Sequence, residues 1–393
     1  MTERERADTG SYSETARAFC PRRACVPADV ADPLGALSET LGPGPFSLVL
    51  LFVTPALPLE PLVSEAGARF PRAAICGCTT SGEITGEGYV QGRIVAFAFP
   101  APGFAVETLV IEGLDRLDTR ALIADLLTAR QALARRAEQH RNELAILLVD
   151  GLSGQEDALV AALSGGLGPV PMVGGSAGDG GAFERTLLFC DGRILENAAV
   201  LCLLRSACEA RSFSFDHMHA SEARMVVTSA DPANRIVARI NDEPAALEYA
   251  RLVGVPADQL SSVVFAAHPV LVRAGGRHHV RAIQHAGDDH SLCFFAAIDE
   301  GVVLTLAEPE DIATHLEAEL ARLSQQRAPS AILGFDCIFR RIEAEGRQKT
   351  GEVSRILARH QVAGFSTYGE QIGAMHVNQT LTGVAFYPPE SVA

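Results

Sequence analysis

The residues of this chain best equipped for chemistry crowd near its end. Gly364-Phe365-Ser366-Thr367-Tyr368-Gly369-Glu370-Gln371 is followed closely by His376-Val377-Asn378-Gln379-Thr380-Leu381-Thr382. Hydroxyls, a phenol, a carboxylate, an imidazole and amides alternate with glycines between two apolar runs. Polar groups held between strands either secure a turn or line a ligand site. His376 is the group of this run suited to ligating a metal, its other role being a hydrogen bond that secures a turn. Tyr368 and Glu370 are candidates for touching a ligand and equally for holding the fold.

Other stretches carry chemistry of their own. Thr79-Thr80-Ser81-Gly82-Glu83 follows an apolar run, the position at which α/β sheets present ligand loops. The Thr80 and Ser81 hydroxyls suit a small polar ligand or the turn's own backbone. The stretch lacks a Gly-Lys-Ser/Thr ending, which excludes a phosphate loop. Gly174-Gly175-Ser176-Ala177-Gly178 has the spacing of a nucleophile elbow. Asp179-Gly180-Gly181 and an apparent hairpin follow it, where an elbow requires a helix. A hydrolase built on Ser176 is therefore disfavoured, and Asp179 is assigned to closing the glycine turn. Phe213, Phe215, His217 and His219 alternate with Ser214, Asp216 and Met218, so the aromatics and histidines are expected on one strand face. Arg281, Arg340 and Arg341 can grip a carboxylate with two parallel hydrogen bonds, or form surface ion pairs, for Arg340 and Arg341 with Glu343 or Glu345. His268, His278, His279 and His290 read as strand-end and hairpin residues.

The elements that position these groups alternate. Phe46–Val53, Ala73–Cys78, Arg93–Phe99, Ala105–Ile111, Leu144–Val149, Thr186–Cys190 and Ala198–Leu204 read as strands, with Asp191-Gly192 as a hairpin turn. Residues 61–70, 119–142 and 155–163 read as helices. Further on, Arg235–Ile240, Val263–His268, His279–Ile283, Leu292–Ile298 and Ile332–Phe339 are expected strands, with helices at 244–251, 310–326 and 351–359. Strands and helices intermingle, predicting an α/β (α+β) fold with mixed β-sheets flanked by helices. No short internal repeat is evident.

A length of 393 residues suggests two domains at roughly 100–200 residues each. The expected division is a loose arm over 1–30, a first domain over 31–205 and a second over 206–393. Net charge is −15, which repels nucleic-acid backbones and anionic lipid. The charged start Met1–Arg6 is not expected to act as a signal peptide. The apolar run from Phe46 is broken by Pro55 and Pro58 and falls short of the ~20 residues of a membrane span. A cytoplasmic protein without membrane insertion is expected. Nine cysteines without a CxxC pair fit reduced thiols. Cys20 and Cys25 lack the second pair of a zinc site. Cys76 and Cys78 share a strand face and are expected to be buried.

Taken in order, these motifs resemble the FIST (F-box and intracellular signal transduction) proteins. Cys76-Gly77-Cys78-Thr79-Thr80-Ser81-Gly82-Glu83-Ile84, Gly174–Asp179, Thr186 and Asp191-Gly192-Arg193 are similar to the family's first domain. Asn241-Asp242-Glu243-Pro244-Ala245, His268-Pro269, Arg281-Ala282-Ile283, Gly334–Arg340, Gly364–Glu370 and His376–Thr380 are similar to its second. The resemblance implies a sensory, ligand-binding protein of signal transduction and no enzyme. A two-domain bacterial subgroup of similar length implies more: bound haem, nitric oxide sensing, and a histidine kinase or cyclic-di-GMP enzyme as partner. Haem would need an axial ligand, with His376 first and His217 or His219 next, and Arg281 or Arg340 on its propionates. Cys20-Pro21 also resembles the Cys-Pro of haem-responsive sites. A small organic ligand such as an amino acid, with no metal, is the alternative. A homo-oligomer is compatible with either.

Overall fold

The computed structural model describes residues 18–274 and 276–389. Most of the expected N-terminal arm, residues 1–17, lies outside them. The part that is described is not loose: β1 (Arg22–Pro27) pairs antiparallel with β6 (Arg93–Pro100) along its whole length. Alternate burial of Ala24 and Val26 explains why this segment joins a sheet.

The chain forms one pattern three times. The first unit runs β1, α1 (Pro33–Leu41), β2 (Phe46–Val53), α2 (Leu59–Arg69), β3 (Ala74–Thr79), a hairpin β4 (Glu83–Thr85) and β5 (Gly88–Val90), then β6. The second runs β7 (Phe104–Glu112), α3 (Thr119–Arg136), β8 (Asn142–Val149), α4 (Glu156–Leu167), β9 (Met172–Ser176), the hairpin β10 (Leu188–Cys190) and β11 (Arg193–Leu195), then β12 (Ala198–Ser206). The third opens with β13 (Glu209–Phe215). A long insert follows: β14 (Met218–Asp231), β15 (Ile236–Ile240), β16 (Glu243–Pro244), α5 (Ala245–Val253), α6 (Ser262–Ala267), β17 (Val270–Ala274), β18 (Arg277–Arg281), β19 (Ile283–Ala286), β20 (Leu292–Phe294) and β21 (Val303–Pro309). The unit then resumes with α7 (Ile312–Leu323), β22 (Ala331–Cys337), α8 (Ile338–Gly346), α9 (Thr350–Arg359), β23 (Val362–Thr367), the hairpin β24 (Glu370–Ile372) and β25 (Met375–Val377), and β26 (Leu381–Tyr387).

Each unit builds a sheet and lends its hairpin to another. The sheets are β1-β6-β2-β3-β10-β11, β7-β12-β8-β9-β24-β25 and β13-β26-β22-β23-β4-β5. In each, the two central strands are parallel and all other pairs antiparallel. The first unit's hairpin completes the third sheet, the second's the first, and the third's the second. This closed exchange cuts across the expected division at 205/206, so the two halves of the chain share their sheets. The repeated unit is a whole sheet with its covering helices, a longer repeat than the short ones the sequence was read for.

The inner faces of the three sheets meet in one apolar core. Phe52 of the first sheet lies 4.6 Å from Phe365 and 6.4 Å from Phe335 of the third, ring to ring. Leu144, Ile146 and Leu148 of the second sheet join the same cluster. Cys76 and Cys78 point into it, fully buried as expected. Outside, α1 and α2 cover the first sheet, α3 and α4 the second, and α7 and α9 the third. At three equivalent points the parallel strands approach so closely that only glycine fits. A Cβ on Gly77, Gly174 or Gly364 would lie 2.0, 2.2 or 1.8 Å from the neighbouring strand's carbonyl at Leu51, Leu147 or Gly334.

Two local expectations fail in the insert. Val263–His268, read as strand, forms helix α6 and its C-cap His268, and the helix buries Phe265 and Ala266; tertiary packing overrides propensity there. Phe213, Phe215, His217 and His219 do not share one strand. β13 ends at Phe215 and β14 starts at Met218, so His217 is buried while His219 sits at the surface. The Asp191-Gly192 turn is as expected, with φ of 46° and 85° at its two residues, the left-handed pair that a tight hairpin needs. Among the described residues no helix is long and apolar enough to cross a membrane.

Candidate functional site

Three buried carboxylates each hold the base of one exchanged hairpin. Glu83 accepts from Thr80 Oγ1 at 2.6 Å and from the Arg93 amide at 3.1 Å, on either side of β4–β5. Asp150 accepts from Thr186 Oγ1 and from the Asn197 amide, the latter at 2.7 Å, around β10–β11. Glu370 accepts from Thr367 Oγ1 and, at 2.8 and 3.2 Å, from the Thr380 hydroxyl and amide, around β24–β25. Thr80 and Glu370 are thus placed by architecture, and the recurrence of their role in the other units accounts for them. Burial pushes the Glu370 carboxyl up to about 8, against the pull of the Thr367 and Thr380 bonds.

The units differ in what each hairpin lays under the covering helices. Next to Gly77 the first sheet carries Phe189 paired with Ile194. Next to Gly364 the third sheet carries Ile84 paired with Tyr89. Next to Gly174 the second sheet carries Gln371 paired with His376. A polar pair thus replaces two largely apolar ones at a position just as buried: Gln371 is 0% and His376 1% exposed.

This pair nucleates a buried polar cluster between α4, the β24–β25 hairpin and the insert. The Gln371 amide donates to Ser176 Oγ at 3.0 Å and to His376 Nδ1 at 3.3 Å. Nδ1 is therefore the acceptor, and the neutral imidazole carries its proton on Nε2. Burial lowers the His376 pKa and keeps the ring neutral. Ser176 Oγ also lies 3.5 Å from Glu156 in the first turn of α4, and Arg235 of the insert donates to Glu156 at 2.5 Å. Arg281 Nη1 reaches the His376 carbonyl at 3.4 Å, and the Ala282 amide reaches Asn378 Oδ1 at 3.5 Å. Eight buried side-chain nitrogen or oxygen atoms have no partner among the described residues. Five belong to the stretch 366–379, namely Ser366 Oγ, Gln371 Oε1, His376 Nε2, Asn378 Nδ2 and Gln379 Oε1, and Ser81 Oγ is a sixth nearby in the same crown of loops. Buried polar atoms are ordinarily satisfied, so their concentration here marks atoms awaiting a partner.

Above the pocket the glycine loop clasps Tyr368. The phenol donates to Asp179 and accepts from the Gly181 amide at 3.0 Å. Asp179 also takes the amides of Phe183, Glu184 and Arg185 at 2.7–2.9 Å, closing the turn as expected. Burial pushes the Asp179 carboxyl up, but these four bonds outweigh it and hold its pKa below the usual range. Burial and Asp179 together push Tyr368 up to about 12. Its ring stacks on Phe183 at 4.4 Å, with Phe295 of the insert 6.5 Å away.

His217 and Arg340 belong to a separate network under α8. Arg340, fully buried, donates to Asp336 at 2.7 Å and to His217 Nδ1 at 2.9 Å. His217 Nε2 then donates to Glu343 at 2.9 Å, and Tyr89 donates to Asp336. Arg341 is also buried, with its guanidinium 5.3 Å from the Tyr89 ring. Arg341 forms the foreseen ion pair with Glu345 at 3.4 Å, the carboxylate at the surface and the guanidinium buried, whereas Arg340 forms no surface pair, because Asp336 and His217 already consume its groups.

The expected haem does not fit these residues. Both ring nitrogens of His217 are engaged, and exposed His219 pairs with Glu310 at the surface. The free Nε2 of His376 faces Gly369 and the Asn378 amide: a Cβ on Gly369 would lie 2.9 and 3.2 Å from them. Its surroundings are Ser176, Gln371, Glu156, Arg235 and Arg281, whereas a macrocycle needs apolar walls. Cys20 is buried in the apolar core where the three sheets meet. Among the described residues no cluster of His, Cys, Asp or Glu is placed to hold a metal ion. A serine nucleophile is not built either, since Gln371 stands between Ser176 and His376 and no helix follows the glycine loop. The structure does bring His376, Tyr368, Ser81 and Arg281 to one region, with Thr80 and Glu370 beside it. Sequence reading missed Glu156 and Arg235. The first looks like an ordinary acidic residue of a helix's first turn, and the second comes from the insert.

No curated protein matches the chain. Residues 47–243 match the FIST N domain and residues 245–373 the FIST C domain. These matches cover most of the chain, which therefore belongs to the FIST family of sensory domains.

Proposed function

We propose that this protein senses a small polar molecule bound in the pocket of Ser176, Gln371, His376 and Asn378. The observation that carries this reading is the set of unpartnered buried atoms at the position where the threefold pattern turns polar. An unsatisfied buried polar group costs about 1–3 kcal/mol, so a ligand that completes these bonds stabilises the closed pocket. Arg235, Arg281 and Ala282 reach the site from the insert while Ser176 and Gln371 belong to the core. Occupancy thereby biases how insert and core sit together. A partner histidine kinase or cyclic-di-GMP enzyme would read that bias.

Thermal-shift screening with small metabolites, amino acids included, tests the reading. A ligand at 100 times its Kd adds about 2.7 kcal/mol of stability, and His376→Ala should abolish that shift. A screen without any stabilising small molecule, together with a Soret band on adding haemin, would overturn the reading in favour of haem.

A further inference from the structure

Resting on that site, we propose that the ligand it takes is a carboxylate, gripped by Arg281, Asn378 and His376. Each of the three presents hydrogen-bond donors. His376 offers Nε2–H, because Nδ1 is occupied by Gln371. Asn378 offers Nδ2, because its Oδ1 accepts from the Ala282 amide. Both atoms border Gly369, where a Cβ would stand 2.9 Å from the imidazole nitrogen and 3.2 Å from the amide nitrogen.

The guanidinium of Arg281 adds the charge. Its hydrogen bonds run to two main-chain carbonyls, Val280 at 3.2 Å and His376 at 3.4 Å. The second of these places it at the backbone of the residue that carries the imidazole. The acid that acts on it is Asp157, through space rather than through an ion pair. Glu156, the other acid here, is neutralised by Arg235 at 2.5 Å. A half-buried guanidinium without a carboxylate partner, beside two orphan donors, is the donor set that a carboxylate completes. Gln371 Oε1 remains as one acceptor at the edge of the pocket, facing Gly174, whose Cβ would lie 3.0 Å from it. It suits a donor elsewhere on the same molecule.

The test compares C2–C5 mono- and dicarboxylates with their uncharged amides, by thermal shift and calorimetry on the full chain. Carboxylates are expected to bind and their amides to bind at least 10-fold more weakly. Arg281→Gln should lose at least 10-fold in carboxylate affinity and leave the weak amide binding unchanged. Asn378→Asp, which keeps the side-chain shape, should abolish carboxylate binding by like-charge repulsion. If Arg281→Gln fails to fold, Asn378→Asp and the acid–amide comparison on the unmodified chain still decide. Equal binding of acids and amides, or unchanged affinity in Asn378→Asp, overturns the proposal. Stabilisation by neutral molecules alone overturns the carboxylate and keeps the small-molecule site. No stabilisation by any class overturns both.

Discussion

The first and second sheets occupy equivalent places in the molecule, yet their outer faces obey different rules. Under α1 and α2 the first sheet sets Phe189 against Ile194, and the layer is apolar and closed. Under α4 the second sheet sets Gln371 against His376, and the layer retains orphan polar atoms. Topology, strand register and the close-approach glycine are common to both, so the difference is not imposed by the fold. A buried apolar pair is the cheaper solution, since polar groups without partners are costly to bury. The second sheet therefore bears a cost that the first shows to be avoidable, and ligand binding is the role we propose for it. The third sheet shows another outcome: it buries the ionisable groups of Asp336, Arg340, His217 and Glu343, but satisfies each of them.

The comparison can be broken from either side. The largest effect is expected in the third sheet, where Arg340→Met leaves Asp336 buried without its partner and should cost about 3–5 kcal/mol. Urea denaturation measures this, and a loss below about 1 kcal/mol would show that the network is loosely held. In the first sheet, Phe189→Ala should cost about 3 kcal/mol or more through the cavity it leaves, with no effect on ligand response. The pH dependence of stability separates staple from site. Burial pushes the Glu370 carboxyl up to about 8, against 4.5 for a free carboxyl, so the folded state binds the extra proton between these values. Its contribution is fully present below the unfolded value and is lost as pH rises through about 8. The melting temperature should fall from pH 5 to pH 8, and Glu370→Gln should flatten that fall; parallel curves would contradict the assignment. The smallest effect sharpens the comparison most. Replacing the polar pair by the first sheet's logic, Gln371→Leu with His376→Leu, should raise ligand-free stability by about 1 kcal/mol. It should also erase every ligand shift. A large destabilisation instead would make Gln371 and His376 structural.

Much of this was legible in the sequence for identifiable reasons. Apolar runs such as Leu48–Val53 and Leu144–Val149 are buried on both faces and announce central strands. Asp191-Gly192 announces its hairpin. His376 and Tyr368 stand out because polar residues interrupt an apolar segment. The threefold pattern was hidden because its units share geometry more than residues. Cys76-Gly77-Cys78-Thr79-Thr80-Ser81-Gly82-Glu83 and Ala363-Gly364-Phe365-Ser366-Thr367-Tyr368-Gly369-Glu370 match at Gly, Thr, Gly and Glu. The middle unit keeps only the first of these, and the insert after β13 spoils the spacing. Arg340 was misassigned because a charged residue among Arg341, Glu343 and Glu345 looks like a solvated helix face. Period two likewise suggested a continuous strand through His219, where the chain in fact leaves the third sheet for the insert.

By itself the sequence determined the element types, the family and the segment in which polar residues crowd between apolar runs. Those are local properties, written in hydrophobic period, turn residues and motif order. Only the tertiary structure decided which polar residues are spent on the fold and which are left over. Thr80 and Glu370 close their hairpin bases through Glu83, Thr367 and Thr380, His217 and Arg340 find each other from 123 residues apart, and His376 and Asn378 each keep one atom free. Whether a buried polar group is satisfied depends on what the exchanged hairpins and the insert bring beside it, and no spacing along one chain encodes that.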